Sequence, residues 1–215
     1  MLKRIFDVVL DFIYPPKCVL CNKVVVNRKQ QVCSDCSNNL KTICKIQYLD
    51  KEHTMKCVSV FRYIGNIKNS IWRFKFKGYK EYSKFYAKFM AQGIENTFKN
   101  IKFDFICFVP LRSERLKNRG YNQAECLASD ISSIINVPCK DALVKIKNNH
   151  VQHELDIIHR RENVRGVYDI VEGINVVGKT ILICDDIITS GSTLRECADV
   201  LLKNGAKSIY CCTIV

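Results

Sequence analysis

Ile181-Leu182-Ile183-Cys184-Asp185-Asp186-Ile187-Ile188-Thr189-Ser190-Gly191-Ser192-Thr193 is an apolar run that empties into two acids and then into a hydroxyl-rich glycine turn. Adjacent carboxylates at Asp185 and Asp186 suit a vicinal diol or a hydrated metal ion. Thr189, Ser190, Ser192 and Thr193 supply hydroxyl donors, and Gly191 lets the backbone close on an anion. A helix opening after them presents unpaired N–H groups and a positive dipole end. Together these residues have the chemistry of a sugar-phosphate cradle. The plainer reading is helix capping, but a cap takes one acid or hydroxyl and needs no buried strand leading into it. Other phosphate motifs are missing: the chain has no G-x-x-x-x-G-K-[ST] and no G-x-G-x-x-G after a strand, which disfavours a P-loop or a dinucleotide site.

A second group follows the apolar run from Phe103 to Val109. If Ser113 to Arg119 is helical or a series of tight turns, Arg112, Arg115 and Arg119 gather on one side. Such a guanidinium cluster is suited to bidentate phosphate contacts, and a pyrophosphate is the apt guest. The bland alternative is an exposed basic loop. A third group is the spacing C-x2-C-x11-C-x2-C made by Cys18, Cys21, Cys33 and Cys36. Two tight turns with two thiolates each complete a closed tetrahedral site, so the zinc expected here is structural. So short a segment buries little apolar surface, whereas zinc binding supplies about 10–16 kcal/mol of apparent folding free energy in small fingers. A redox pair is the competing use of the same thiols. Cys44 and Cys57 are solitary and read as packing thiols first, with one of them as a further metal ligand the alternative.

The elements that must position these groups alternate. Lys56 to Tyr63 reads as a strand and Asn66 to Phe76 as a short basic helix. From Glu81 to Asn96 the residues Tyr82, Phe85, Tyr86, Phe89 and Met90 share one helical face, with Lys84 and Lys88 towards water. A helix ends near Ile135, a strand spans Val167 to Val171, a helix spans Leu194 to Asn204 with Gly205 as its stop, and a last strand spans Ser208 to Ile214. Four apolar residues in a row before Asp185 imply a strand buried on both faces, with its acids in the crevice at the carboxyl ends of a parallel sheet. Strands alternating with helices imply a right-handed parallel α/β sheet. Trp72, Phe74 and Phe76 stand among Arg73, Lys75 and Lys77; helical packing explains them first, and a stacking platform for single-stranded nucleic acid second.

The acid-and-hydroxyl stretch resembles the phosphoribosyl-pyrophosphate motif of type I phosphoribosyltransferases, Asp-Asp-x-x-Thr-Thr-Gly-x-Thr, with Ser190 as the one departure. That resemblance implies that Asp185 and Asp186 face the ribose hydroxyls and that Thr189, Ser190, Gly191, Ser192 and Thr193 hold the 5-phosphate. Arg119-Gly120-Tyr121-Asn122-Gln123, preceded by Val109-Pro110-Leu111 and Arg115, resembles the signature of the ComF family of competence-associated phosphoribosyltransferase-like proteins. So does Gln152 with Leu155, Arg160, Arg161, Asn163 and Val164, ending at Gly166 and Tyr168. That family also carries an amino-terminal zinc segment, usually with further cysteine pairs that this sequence lacks. The resemblance implies a type I phosphoribosyltransferase-like fold of parallel sheet flanked by helices, with a small zinc-ribbon-like module in front. It implies that residues 1–55 hold an amino-terminal helix and the zinc module, and residues 56–215 the phosphoribosyltransferase-like domain. Within that domain residues 148–166 would be a flexible flap over the ligand, a reading their polar composition supports independently. Ligand contacts by Arg112, Arg115, Arg119, Asn122, Gln123, Gln152 and Arg161 are implied, as are phosphoribosyl pyrophosphate with magnesium as ligand and a part in DNA uptake and natural transformation.

Net charge of +13 over 215 residues makes anions and polyanions the expected partners, and 47% hydrophobic content is ample for a core. Thirteen cysteines, several inside apolar runs, read as small buried hydrophobes in a reducing cytoplasm rather than a disulfide framework. No run is long and apolar enough to span a membrane. Residues 1–13 read as a short amphipathic helix, packed on the protein or, alternatively, in peripheral contact with a membrane. His150, His153 and His159 lack partners at ligand spacing and read as solvated. Two functions of different class remain: a phosphoribosyltransferase of unknown acceptor, or a non-catalytic module that binds ligand or single-stranded DNA with the same cradle. DNA-uptake or helicase proteins are the expected macromolecular partners.

Overall fold

The computed structural model describes residues 15–26, 29–52, 54–146 and 166–215. Its frame is a five-stranded sheet of β1 (Lys45–Tyr48), β2 (Lys56–Ser59), β3 (Phe105–Phe108), β6 (Thr180–Asp185) and β7 (Ser208–Thr213), in the order β1-β2-β7-β6-β3. From β2 to β3 every pairing is parallel, whereas β1 joins the edge antiparallel, Lys45 opposite Ser59. The expected parallel sheet therefore gains one reversed edge strand. A tight turn near Asp50, whose carboxylate accepts the Thr54 and Met55 N–H groups at 3.0 Å each, folds β1 back on β2. Such a short return needs only a hairpin, where a parallel partner would need a crossover.

Helices cover both faces. α2 (Gly65–Phe76), α3 (Tyr82–Thr97) and α5 (Gln123–Ile135) line one side, and α6 (Ser192–Lys203) the other. Tyr82, Phe85, Tyr86 and Met90 are buried on α3, Phe89 half-buried, and Lys84 and Lys88 exposed, which is the periodicity the sequence carries. Ile181, Leu182, Ile183 and Cys184 are fully buried because helices press on both faces of β6. A separate antiparallel pair, β4 (Leu143–Lys145) and β5 (Tyr168–Ile170), packs over α6. α4 (Ser113–Arg119) is about two turns of helix after β3, with no buried residue, stopped by Gly120 at φ +78°. The amino-terminal helix expected over residues 1–13 and the flap expected over 148–166, Gly166 excepted, lie outside the described residues.

The cysteine module sits in front of the sheet, with one short helix, α1 (Ser34–Asn39), after its third cysteine. Arg73 of α2 reaches into the first cysteine turn and donates to the carbonyls of Val19 and Leu20 at 2.9 and 2.7 Å. Cys57 is buried and Cys44 half-buried against the core. Among the described residues no helix is long and apolar enough to cross a membrane.

Candidate functional site

Because β2, β7, β6 and β3 run the same way, their carboxyl ends meet along one edge. Ser59, Thr213 and Asp185 stand in register across three of them, Ser59 and Thr213 joined through their hydroxyls at 2.7 Å. A cleft of about 1160 Å³ opens above this edge. Its described lining includes Asp185, Asp186, Thr189 and Thr193 from the β6–α6 turn, and Arg112, Arg115 and Arg119 from the segment after β3. The two groups distant in sequence thus face one space. That space matches the crevice that parallel α/β sheets offer to ligands.

The turn is built by backbone geometry. Gly191 holds φ +70°, and a Cβ there would stand 3.0 Å from a Leu49 methyl, so only glycine fits without displacing its neighbour. Gly191 also occupies the N-cap of α6, where no side chain caps the helix. The two aspartates are therefore not spent on capping. Ser190 and Ser192 pair through their hydroxyls at 2.9 Å, behind the more exposed Thr189.

Asp185 and Asp186 differ in environment. The Asp185 carboxyl accepts the Asp186 N–H at 2.8 Å, yet its pKa is pushed from 3.8 to about 7, by burial first and by the Asp186 charge second. Asp186 is paired at 2.8 Å with Lys75 of α2, both side chains largely buried. Around them the guanidinium of Arg119 is lowered from its usual range by burial, opposed by the charge of Asp186. Lys145 is pulled down to about 8 by burial and by Arg112 and Arg115, and it donates to the Tyr168 hydroxyl at 3.2 Å. The described lining thus carries more cationic than acidic side chains, a charge balance that suits an anion.

Asn122 and Gln123 line the cleft but are buried and internally engaged. Asn122 caps α5 by accepting the Ala124 N–H at 3.0 Å and donates to the Val109 carbonyl at 3.0 Å. Gln123 accepts from Arg119 at 3.1 Å. Both thus brace the arginine segment against β3. Gln152 and Arg161 lie outside the described residues. Sequence reasoning did not name Lys75, Lys145 or Tyr168 as part of the cleft; the alternation of Lys75 with aromatics was visible, its target was not.

The cysteine site is a second, independent constellation. The ligand atoms of Cys18, Cys21, Cys33 and Cys36 all lie within 4.8 Å of one another, with Cys21 and Cys33 sulfurs 3.6 Å apart. Four thiolates about 2.3 Å from one zinc ion stand about 3.8 Å apart, so the set fits the metal. Burial raises the Cys18 pKa, but the N–H groups of Cys21 and Cys33 aimed at its sulfur outweigh it and bring the value to about 7, favouring the thiolate a metal needs.

Comparison with known proteins finds two domain families along this chain. The phosphoribosyl transferase domain family matches residues 122–215, so the three arginines lie ahead of the matched span. The double zinc ribbon domain family matches residues 9–54, supporting a structural zinc at the four cysteines. Competence protein F of Haemophilus influenzae is 26% identical over 215 residues, covering 90% of this chain and 93% of the relative. DNA utilization protein YhgH of Escherichia coli O157:H7 is 26% identical over 216 residues, covering 91% and 94%. Competence protein ComFC of Bacillus subtilis is 26% identical over 199 residues, covering 92% and 77%.

Proposed function

We propose that this chain, similar over most of its length to competence protein F and competence protein ComFC and matching a phosphoribosyl transferase domain family behind a double zinc ribbon family, binds phosphoribosyl pyrophosphate in its cleft and serves DNA uptake. The carrying observation is the convergence, in one cleft, of Asp185 and Asp186 at the end of β6 with Arg112, Arg115 and Arg119 after β3. The turn from Thr189 to Thr193 takes the 5-phosphate with hydroxyls and the N–H groups at the start of α6. Asp185 and Asp186 take the ribose hydroxyls. The three arginines take the diphosphate.

In a transfer to an acceptor, the bond from the anomeric carbon to the diphosphate oxygen breaks with its electron pair leaving on oxygen. A lone pair of the acceptor forms the new bond. Positive charge grows on the sugar beside the two acids and negative charge on the leaving group beside the arginines, so both ends of the transition state are stabilised. Two adjacent carboxylates fit a magnesium ion carried largely by the ligand's own oxygens and by water, the usual way this cation is held. Magnesium would neutralise the diphosphate as it leaves.

Calorimetry with phosphoribosyl pyrophosphate and magnesium tests binding, and diphosphate release with a panel of nucleobases tests transfer. Binding abolished by Asp186→Asn is expected; no heat with the parent protein refutes the proposal. Release that also vanishes in the variant marks an enzyme, whereas binding without release marks a non-catalytic module. The names of the relatives, a competence protein and a DNA utilization protein, support the DNA-uptake role. Loss of transformation on deleting the chain, with wild-type DNA binding at the cell surface, is the expected phenotype.

A further inference from the structure

Helix α2 carries aromatic rings of two fates. Phe74 is fully buried, but Trp72 is 50% and Phe76 55% exposed, their centroids 6.0 Å apart. Four residues apart, they share a face of the helix. Packing, which the sequence favours for all three rings, thus accounts for Phe74 alone. Cations attend the exposed pair: the Lys77 ammonium lies 5.3 Å from the Trp72 centroid and the Arg119 guanidinium 4.8 Å from that of Phe76. Beside Phe76 opens a cavity of about 610 Å³ whose described lining is Lys75, Phe76, Gly78, Arg115, Asn118 and Arg119, two guanidiniums together with the ammonium that pairs with Asp186.

Flat exposed rings next to a cationic cavity are complementary to a flexible polyanion that carries flat rings of its own. We propose that Trp72 and Phe76 form a stacking platform for bases of single-stranded nucleic acid, with a backbone phosphate entering the cavity of Lys75, Arg115 and Arg119. Bases held in a duplex present their faces to one another and cannot use the platform. An anionic membrane is the less favoured occupant, because two tilted rings at a cavity mouth make a small apolar patch, short of the broad face that interfacial insertion uses.

Lys75, Arg115 and Arg119 also line the main cleft. Taken with the reading of that cleft as a diphosphate site, this sharing makes the strand and phosphoribosyl pyrophosphate mutually exclusive. A strand phosphate on Arg119 leaves that guanidinium unavailable to a diphosphate, and the converse. The protein would then release single strand when the activated sugar is abundant.

Trp72 is the chain's single tryptophan, so its fluorescence reports the platform directly. Titration with a single-stranded oligothymidylate is expected to quench Trp72 emission, with affinity falling steeply as salt rises. Stacking losses predict that Trp72→Ala with Phe76→Ala weakens binding, followed by anisotropy of a labelled strand, by about tenfold or more. Both positions face solvent, and circular dichroism of the variant verifies its fold. Absence of quenching, an unweakened double variant, or equal quenching by duplex DNA or by phosphatidylglycerol vesicles overturns the platform. Added phosphoribosyl pyrophosphate with magnesium is expected to displace the strand. Persistence of the strand while calorimetry shows the sugar bound overturns the exclusion alone. Absence of sugar binding by calorimetry overturns the reading of the cleft, and the quenching titration still decides the platform.

Discussion

Replacing Asp185 by Asn tests whether the cleft holds charge at the expense of stability. In the native protein the Asp185 carboxyl ionises near pH 7 instead of 3.8, because burial and the neighbouring Asp186 charge disfavour the anion. The native state therefore keeps a proton that the unfolded chain loses above pH 3.8. Through the window from about 4 to about 7 the native state binds more protons, so stability falls as pH rises and the full cost is present above 7. The gap between 3.8 and about 7 sets a ceiling of about 4 kcal/mol at ~1.4 kcal/mol per tenfold step in proton affinity. Solvent screening at this partly buried group leaves an expected gain of about 1–2 kcal/mol on neutralisation. Asn keeps the oxygen that accepts the Asp186 N–H at 2.8 Å, so no hydrogen bond is lost. Urea denaturation followed by Trp72 fluorescence at pH 5 and pH 8 is the assay. Asp185→Asn should be more stable than the parent at pH 8, and by a wider margin than at pH 5. A variant less stable at pH 8, or a margin flat across that range, refutes the reasoning. Stabilisation by loss of a residue assigned to ligand is the trade-off expected where function is built against stability.

Lys75→Met removes the cation that lowers the Asp185 pKa, so carbon-13 NMR of the labelled carboxyl should show its titration midpoint moving above about 7; an unchanged midpoint would disprove the coupling. Gly191→Ala places a methyl 3.0 Å from Leu49 at a φ of +70°, which should cost about 1–2 kcal/mol of stability by denaturant melts and weaken sugar-phosphate binding as the turn shifts. Cys18→Ser with Cys33→Ser should abolish stoichiometric zinc by atomic absorption and lower the melting temperature, whereas unchanged metal content would place the zinc elsewhere.

How much of this was legible depended on how local the signal was. The β6 strand, its two acids and the glycine turn lie in thirteen consecutive residues, and a parallel strand buried on both faces announces itself as an unbroken apolar run. The α3 face was equally plain, since its period is set by the chain alone. β1 escaped because Lys45–Tyr48 is a four-residue edge strand whose half-buried member is the polar Gln47 while its apolar Ile46 and Tyr48 stay exposed. The Lys75–Asp186 pair escaped for another reason. Its partners are 111 positions apart, and sequence shows neither which basic residue of a basic chain turns inward nor what it meets. Asn122 and Gln123 were legible as a signature, while the bonds by which they brace the arginine segment belong to tertiary packing.

Arg73 and Lys75 sit two positions apart on α2, hence on opposing sides of its axis. One grips the carbonyls of the first cysteine turn, the other the second acid of the cleft. A disturbance among the sulfurs, whether by chelation or by oxidation, accordingly has less than one helical turn to travel before it reaches the sugar's expected seat. The metal then serves as an anchor post for a lever whose far arm rests in the ligand chamber.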